Sequence, residues 1–155
     1  MTWLRSLTRY LIGLVVGFHG MVYLIFALYS QYINSAGWKG SSLLLGNAIT
    51  GDTLKAFTMG LWAIAGVGLI ATGIAIAFAP WLHGLWRPLA IGASLVSLLS
   101  FVIFWDGQTA SFTSQGGIGM FLSLTILVGA IAFPKALGAL GFEKRKDESK
   151  LMVER

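Results

Sequence analysis

The sequence predicts an all-α membrane protein, a bundle of four transmembrane helices with the N-terminus and the C-terminus both cytoplasmic. Of its 155 residues, 56% are hydrophobic and only 11% are charged, whereas a soluble domain carries about 25% charged residues to keep its surface wet. The apolar residues gather into four runs, each near the roughly 20 residues that cross a hydrocarbon core about 30 Å thick. The basic residues collect on one side of those runs. Such a composition excludes most soluble enzymes and nucleic-acid binders.

The first span covers about residues 10–33 and carries no charge other than one that His19 can acquire. The second, about 57–78, is stopped by Pro80, whose ring cannot continue a helix without losing a hydrogen bond. The third, about 87–105, opens at Arg87-Pro88, with proline in the first turn, where its missing N–H does least harm. The fourth, about 118–133, is the shortest and ends at Pro134-Lys135. Residues 1–134 thus form one transmembrane domain, and 135–155 form a charged cytoplasmic tail that is expected to be solvated and partly disordered.

Cytoplasmic loops carry the excess of Lys and Arg. With the N-terminus inside, nine of the 11 basic residues, from Arg5, Arg9 and Arg87 to the tail, face the cytoplasm, and Lys39 and Lys55 lie outside. Four acids join the inner side, and Asp52 and Asp106 the outer, so the whole net charge of +5 faces the cytoplasmic leaflet. The basic pI near 9.8 therefore reads as orientation and attraction to anionic lipid, with no nucleic-acid partner. Trp3, Tyr10, Trp81 and Trp86 at the inner ends, and Tyr29, Tyr32, Trp62 and Trp105 near the outer ends, form the two aromatic belts that interfaces favour. The first run is too long for a signal peptide and reads as an uncleaved helix in the cytoplasmic membrane. Cysteine is absent, which removes thiol chemistry and thiolate metal sites.

Between the spans, Ser41 to Asn47 holds a short apolar stretch expected to lie on the bilayer as an interfacial half-helix or to cap the mouth of the bundle. Asp106 to Gly117 reads as a solvated loop or a partner-binding lip. Within the spans, Gly13, Gly17 and Gly20, and Gly66 on the second helix, supply the small surfaces that let membrane helices approach closely.

His19 is the one ionisable side chain, tyrosine aside, placed deep in a span. Counting about 1.5 Å per residue from each inner boundary puts His19, Thr72, Ser97 and Thr125 at one depth, about 12–15 Å in, with Tyr23 one turn beyond His19. Polar groups in hydrocarbon seek partners, so this layer is expected to point inward and bond across the bundle. Two uses fit it: a neutral histidine satisfied structurally, or a site for a quinone carbonyl or lipid headgroup lined by His19, Tyr23, Thr72, Ser97 and Thr125. A haem needs a partner chain, because His83 lies in the inner loop and cannot ligate the opposite face. No metal site and no bound cofactor are predicted. No nucleophile has a base one turn away in the membrane, so an autonomous enzyme is not expected.

Arg9 before an apolar helix, a mid-span His19-Gly20, and Trp86-Arg87-Pro88 opening the third of four helices together resemble the DoxX-like group of small four-helix membrane proteins. Where such proteins often place a basic or amide residue soon after the His-Gly pair, this chain has Met21, Val22 and Tyr23. The resemblance implies association with membrane redox systems or a role in assembly. The leading expectation is a non-catalytic accessory or assembly subunit of a larger membrane complex, redox or otherwise, with lipids and other membrane subunits, or further copies of itself, as partners. The alternative is a small lipid- or quinone-binding membrane protein centred on His19.

Overall fold

A computed structural model of the chain describes residues 2–29, 42–45, 48–49, 51–78, 82 and 84–133. It contains four α-helices in the order α1 (Thr2–Tyr29), α2 (Gly51–Ala77), α3 (Trp86–Phe104) and α4 (Gly117–Ala132), with a 3₁₀ turn, Thr109–Ser111, between α3 and α4. No strand occurs among the described residues. The first three helices are long and apolar enough to cross a membrane, and α4, with 16 residues, is apolar but shorter. At about 1.5 Å per residue, α4 covers about 24 Å, most of a hydrocarbon core.

The spans run longer than the apolar stretches alone. Helix α1 begins at Thr2 rather than near residue 10, and α2 at Gly51 rather than near 57. Asp52 in the first turn of α2 stabilises the extra turns against the positive end of the helix dipole. The predicted end of the first span beyond residue 29, the charged tail, Pro80, Trp81 and His83 lie outside the described residues.

Of the readings of Ser41–Asn47, the interfacial half-helix is the one the described residues correct, and Ser41, Gly46 and Asn47 lie outside them. Ser42 to Leu45 form a turn rather than a half-helix. The Ser42 hydroxyl donates to the Ile103 carbonyl, and the Leu43 N–H donates to the Trp105 carbonyl at 2.9 Å. The C-terminal carbonyls of α3 lack partners within their own helix, and this strand of chain supplies them by docking across the helix end.

Each helix packs along the next in sequence, α1 on α2, α2 on α3 and α3 on α4, whereas α1 and α4 meet sparsely. The first contact is set by glycine. A Cβ on Gly13 would meet the Gly73 carbonyl at 2.6 Å, and one on Gly20 would meet the Gly66 carbonyl at 2.6 Å. These two pairs run in opposite order along α1 and α2, so the helices are antiparallel and their backbones touch. Gly17 takes part differently: a Cβ there would meet nothing within 4 Å, yet its N and Cα sit 2.7 and 2.9 Å from where a Cβ on Gly73 would lie.

Two arginines tie the hairpins at one end of the bundle. Arg9 Nε donates to the Ala77 carbonyl at the end of α2, and Arg87 Nε donates to the Ala130 carbonyl near the end of α4, each at 3.1 Å. Both place a cation at the negative end of a helix dipole and satisfy a terminal carbonyl.

Polarity is inverted relative to a soluble bundle. Leu14, Phe18, Ile64, Val67 and Ile131 are exposed, while Thr58, Thr72, Ser94, Ser97, Ser100 and Ser123 are fully buried. With lipid outside, apolar burial gives little drive for association, and small or hydrogen-bonding residues fill the interior.

Candidate functional site

The buried polar residues divide by how they are satisfied. Thr58, Thr72 and Ser100 donate to the carbonyl four residues back, at 2.8, 2.8 and 2.7 Å, so each is closed on its own helix. Thr125 does the same to Phe121 at 2.8 Å and is exposed on α4. Thr72 and Thr125 share the depth of His19 but not its cluster, which corrects their place in the predicted layer: depth along an axis says nothing of the direction around it.

His19, Tyr23 and Ser97 do come together, with Ser123 of α4 as the fourth member. His19 Nε2 lies 3.0 Å from Ser123 Oγ, Ser123 Oγ lies 2.6 Å from Ser97 Oγ, and Ser97 Oγ lies 2.6 Å from the Tyr23 hydroxyl. The chain joins α1, α3 and α4 at the middle of the bundle, with His19 only 5% exposed and both serines at 0%. His19 and Tyr23 sit one turn apart on α1, their rings edge to face with centroids 5.2 Å apart. Gly119, one turn before Ser123, lets α4 approach this pair, since a Cβ there would lie 3.1 Å from His19 Cε1. Ser94, on the same helix as Ser97, is buried with its hydroxyl unpartnered among the described residues.

The hydroxyls fit two proton orders. If Tyr23 donates to Ser97, Ser97 to Ser123 and Ser123 to Nε2, the imidazole carries its proton on Nδ1 and offers a donor there. If the order reverses, Nε2 donates and Nδ1 becomes an acceptor. The heavy-atom positions fit both directions, and in the second the Tyr23 O–H proton turns out of the network toward another acceptor.

Ser97→Ala is expected to destabilise the bundle by about 1–3 kcal/mol, because it takes a partner from two buried hydroxyls at once. Ser100→Ala, whose hydroxyl bonds only its own helix among the described residues, is expected to cost under about 0.5 kcal/mol. Denaturant titration in detergent reads the difference, and equal stabilities would contradict the network.

The sparse contact between α1 and α4 leaves a seam with a cavity on either side of His19. One, of about 350 Å³, extends toward the end that carries Asp106 and is walled by aromatic side chains from three helices, among them Phe18, Trp62, Phe101 and Trp105. The other, of about 370 Å³, extends toward the arginine end and is lined by aliphatic groups such as Leu11, Ile12, Ile76 and Ile126, with Thr125 on its wall. Val15, His19 and Leu122 border both. Leu14, Val15, Phe18 and Leu122 on the rim are exposed, so the seam opens sideways toward the lipid. Among the described residues, no three His, Cys, Asp or Glu side chains gather.

Sequence reasoning missed Ser123 because counting from Lys135 reached Thr125 first. The spacing held the signal: Gly119 and Ser123 repeat at four residues on α4, as His19 and Tyr23 do on α1, which puts a small gap and a hydroxyl on one face. Comparison with protein-family models, curated proteins and solved structures finds no match for this chain.

Proposed function

We propose that this chain is a small membrane protein that binds a quinone or a related lipid in the seam between α1 and α4, with His19 as the polar anchor. The observation that carries the reading is the juxtaposition of a laterally open apolar cavity with a buried hydrogen-bonded histidine that borders it. Binding pockets combine apolar walls with a few fixed polar groups, and a membrane-dissolved ligand reaches this one from the side. The reversible proton order adds support. A quinone carbonyl needs a donor and the corresponding quinol hydroxyl needs an acceptor, and His19 offers either through the same network.

The structure carries its own reporters, because Trp62 and Trp105 both line the aromatic cavity. Titrating decyl-1,4-benzoquinone into the protein in phosphatidylcholine vesicles is expected to quench tryptophan fluorescence with saturation. Quenching that merely rises in proportion to added quinone, as for free collision in the bilayer, would sink the reading.

A second reading, the accessory or assembly subunit, is favoured by the same seam: among the described residues, α1 and α4 meet only sparsely, which leaves room for another subunit between them. It is also the role implied by the resemblance to DoxX-like proteins. In both readings we place the protein in the cytoplasmic membrane with the arginine end inside. The chain has no native cysteine, so a single cysteine at Asp106 is expected to react with an impermeant maleimide added outside intact cells. Labelling only after the membrane is opened would reverse the orientation.

A further inference from the structure

Gln115 closes the aromatic cavity at the end away from the bundle centre. It is 7% exposed, and its Oε1 accepts from the backbone N–H of Asp106 at 3.3 Å. An N–H can face only the acceptor side of an amide, so this bond fixes which way the side chain is turned. The amide nitrogen is then left buried with no hydrogen-bond partner among the described residues. A buried donor without an acceptor is costly and calls for an explanation.

The position of Gln115 supplies one. It precedes Gly119 by four residues, and Gly119 is where α4 touches the His19 ring. Gln115 and His19 border the same cavity, Gln115 from the turn just before α4 rather than from the helix itself. The same cavity is lined by aromatic side chains: Phe18, Phe26, Trp62, Phe101, Phe104 and Trp105. Beyond His19 the second cavity is lined mostly by aliphatic groups, with Trp86 on its wall, which suits a hydrocarbon tail.

Resting on the reading of the seam as a ligand site, we propose that Gln115 is its second polar anchor and sets its specificity. The amide N–H donates to an oxygen on the ligand edge opposite the one held at His19. The site thereby selects a flat ring with hydrogen-bonding oxygens on two opposite edges over a lipid with a single polar end. The aromatic faces hold the ring by stacking, and its two oxygens satisfy the two ends of the cavity.

The test uses the full chain in phosphatidylcholine vesicles and two probes, decyl-1,4-benzoquinone with two opposed carbonyls and a decyl phenyl ketone with one, the ketone read by competition. Gln115→Leu removes the donor. Gln115→Glu also removes it but keeps an oxygen for the Asp106 N–H, which preserves the loop. Both substitutions are expected to weaken the quinone about five- to tenfold, one hydrogen bond's worth, and to leave the ketone unchanged. His19→Leu is expected to weaken both probes. If the Gln115 variants bind the quinone as the wild type does while His19→Leu loses it, Gln115 is no anchor and the His19 site stands. If the wild type binds neither probe, the ligand reading falls together with this one.

Discussion

Gly73→Ala is expected to destabilise the bundle by about 1–3 kcal/mol, although the change adds a single methyl group. A Cβ at this position would meet the Gly13 carbonyl oxygen at 2.5 Å, the Gly17 nitrogen at 2.7 Å and the Gly17 Cα at 2.9 Å. All three are backbone atoms of α1, so no rotamer change makes room and the helices must separate. Separation also releases the Gly20–Gly66 pair, where a Cβ on Gly20 would lie 2.6 Å from the Gly66 carbonyl. In lipid the loss is not recovered by apolar burial elsewhere, because close packing supplies the association. Gly60 on the same helix is the control. A Cβ there meets nothing within 4 Å, so Gly60→Ala is expected to be neutral or to stabilise by about 0.5–1 kcal/mol through helix propensity. Unfolding of both variants in mixed micelles separates them, and a Gly73→Ala protein as stable as Gly60→Ala would refute the backbone contact.

His19→Leu is expected to weaken ligand binding by at least about tenfold while changing stability by only about 1 kcal/mol. Leucine keeps the bulk of the ring in the wall shared by the two cavities. Ser123 loses its contact with Nε2 but retains Ser97 at 2.6 Å, so no buried hydroxyl is stranded. What disappears is the one group bordering both cavities that can switch between donor and acceptor. The accessory-subunit reading expects the opposite ranking, since assembly then depends on the outer faces of α1 and α4 and is indifferent to a buried imidazole. A variant that still binds quinone with wild-type affinity would remove His19 from the site.

The helices were legible in the sequence because length, hydropathy and the proline stops act locally, and α3 and α4 fall within a residue or so of their expected limits. The early start of α2 was not, since polar residues from Gly51 to Lys55 read as loop until the dipole at the helix end is counted. Gly13, Gly20 and Gly66 stood out by composition, whereas Gly73 gained its meaning only from the pairing with Gly13 across the antiparallel contact. The site was half legible. Depth along each helix placed His19 and Ser97 at one level, and the helical repeat added Tyr23. It also drew in Thr72 and Thr125, which bond their own helices, and passed over Ser123, whose direction around α4 decides its contact. Gln115 sat in a polar loop with nothing in the sequence to mark it, and its burial arises from how that loop folds over the end of α3.

A small membrane-soluble molecule held in the α1–α4 seam and anchored at His19 should leave the membrane together with the protein. Native mass spectrometry of the protein released gently from its own membrane tests this most directly, comparing the wild type with His19→Leu. A small-molecule adduct of quinone or lipid mass is expected on the wild type and is expected to be lost from the variant, with both proteins folded. A wild type that carries no such adduct, or an adduct retained equally by His19→Leu, would contradict it.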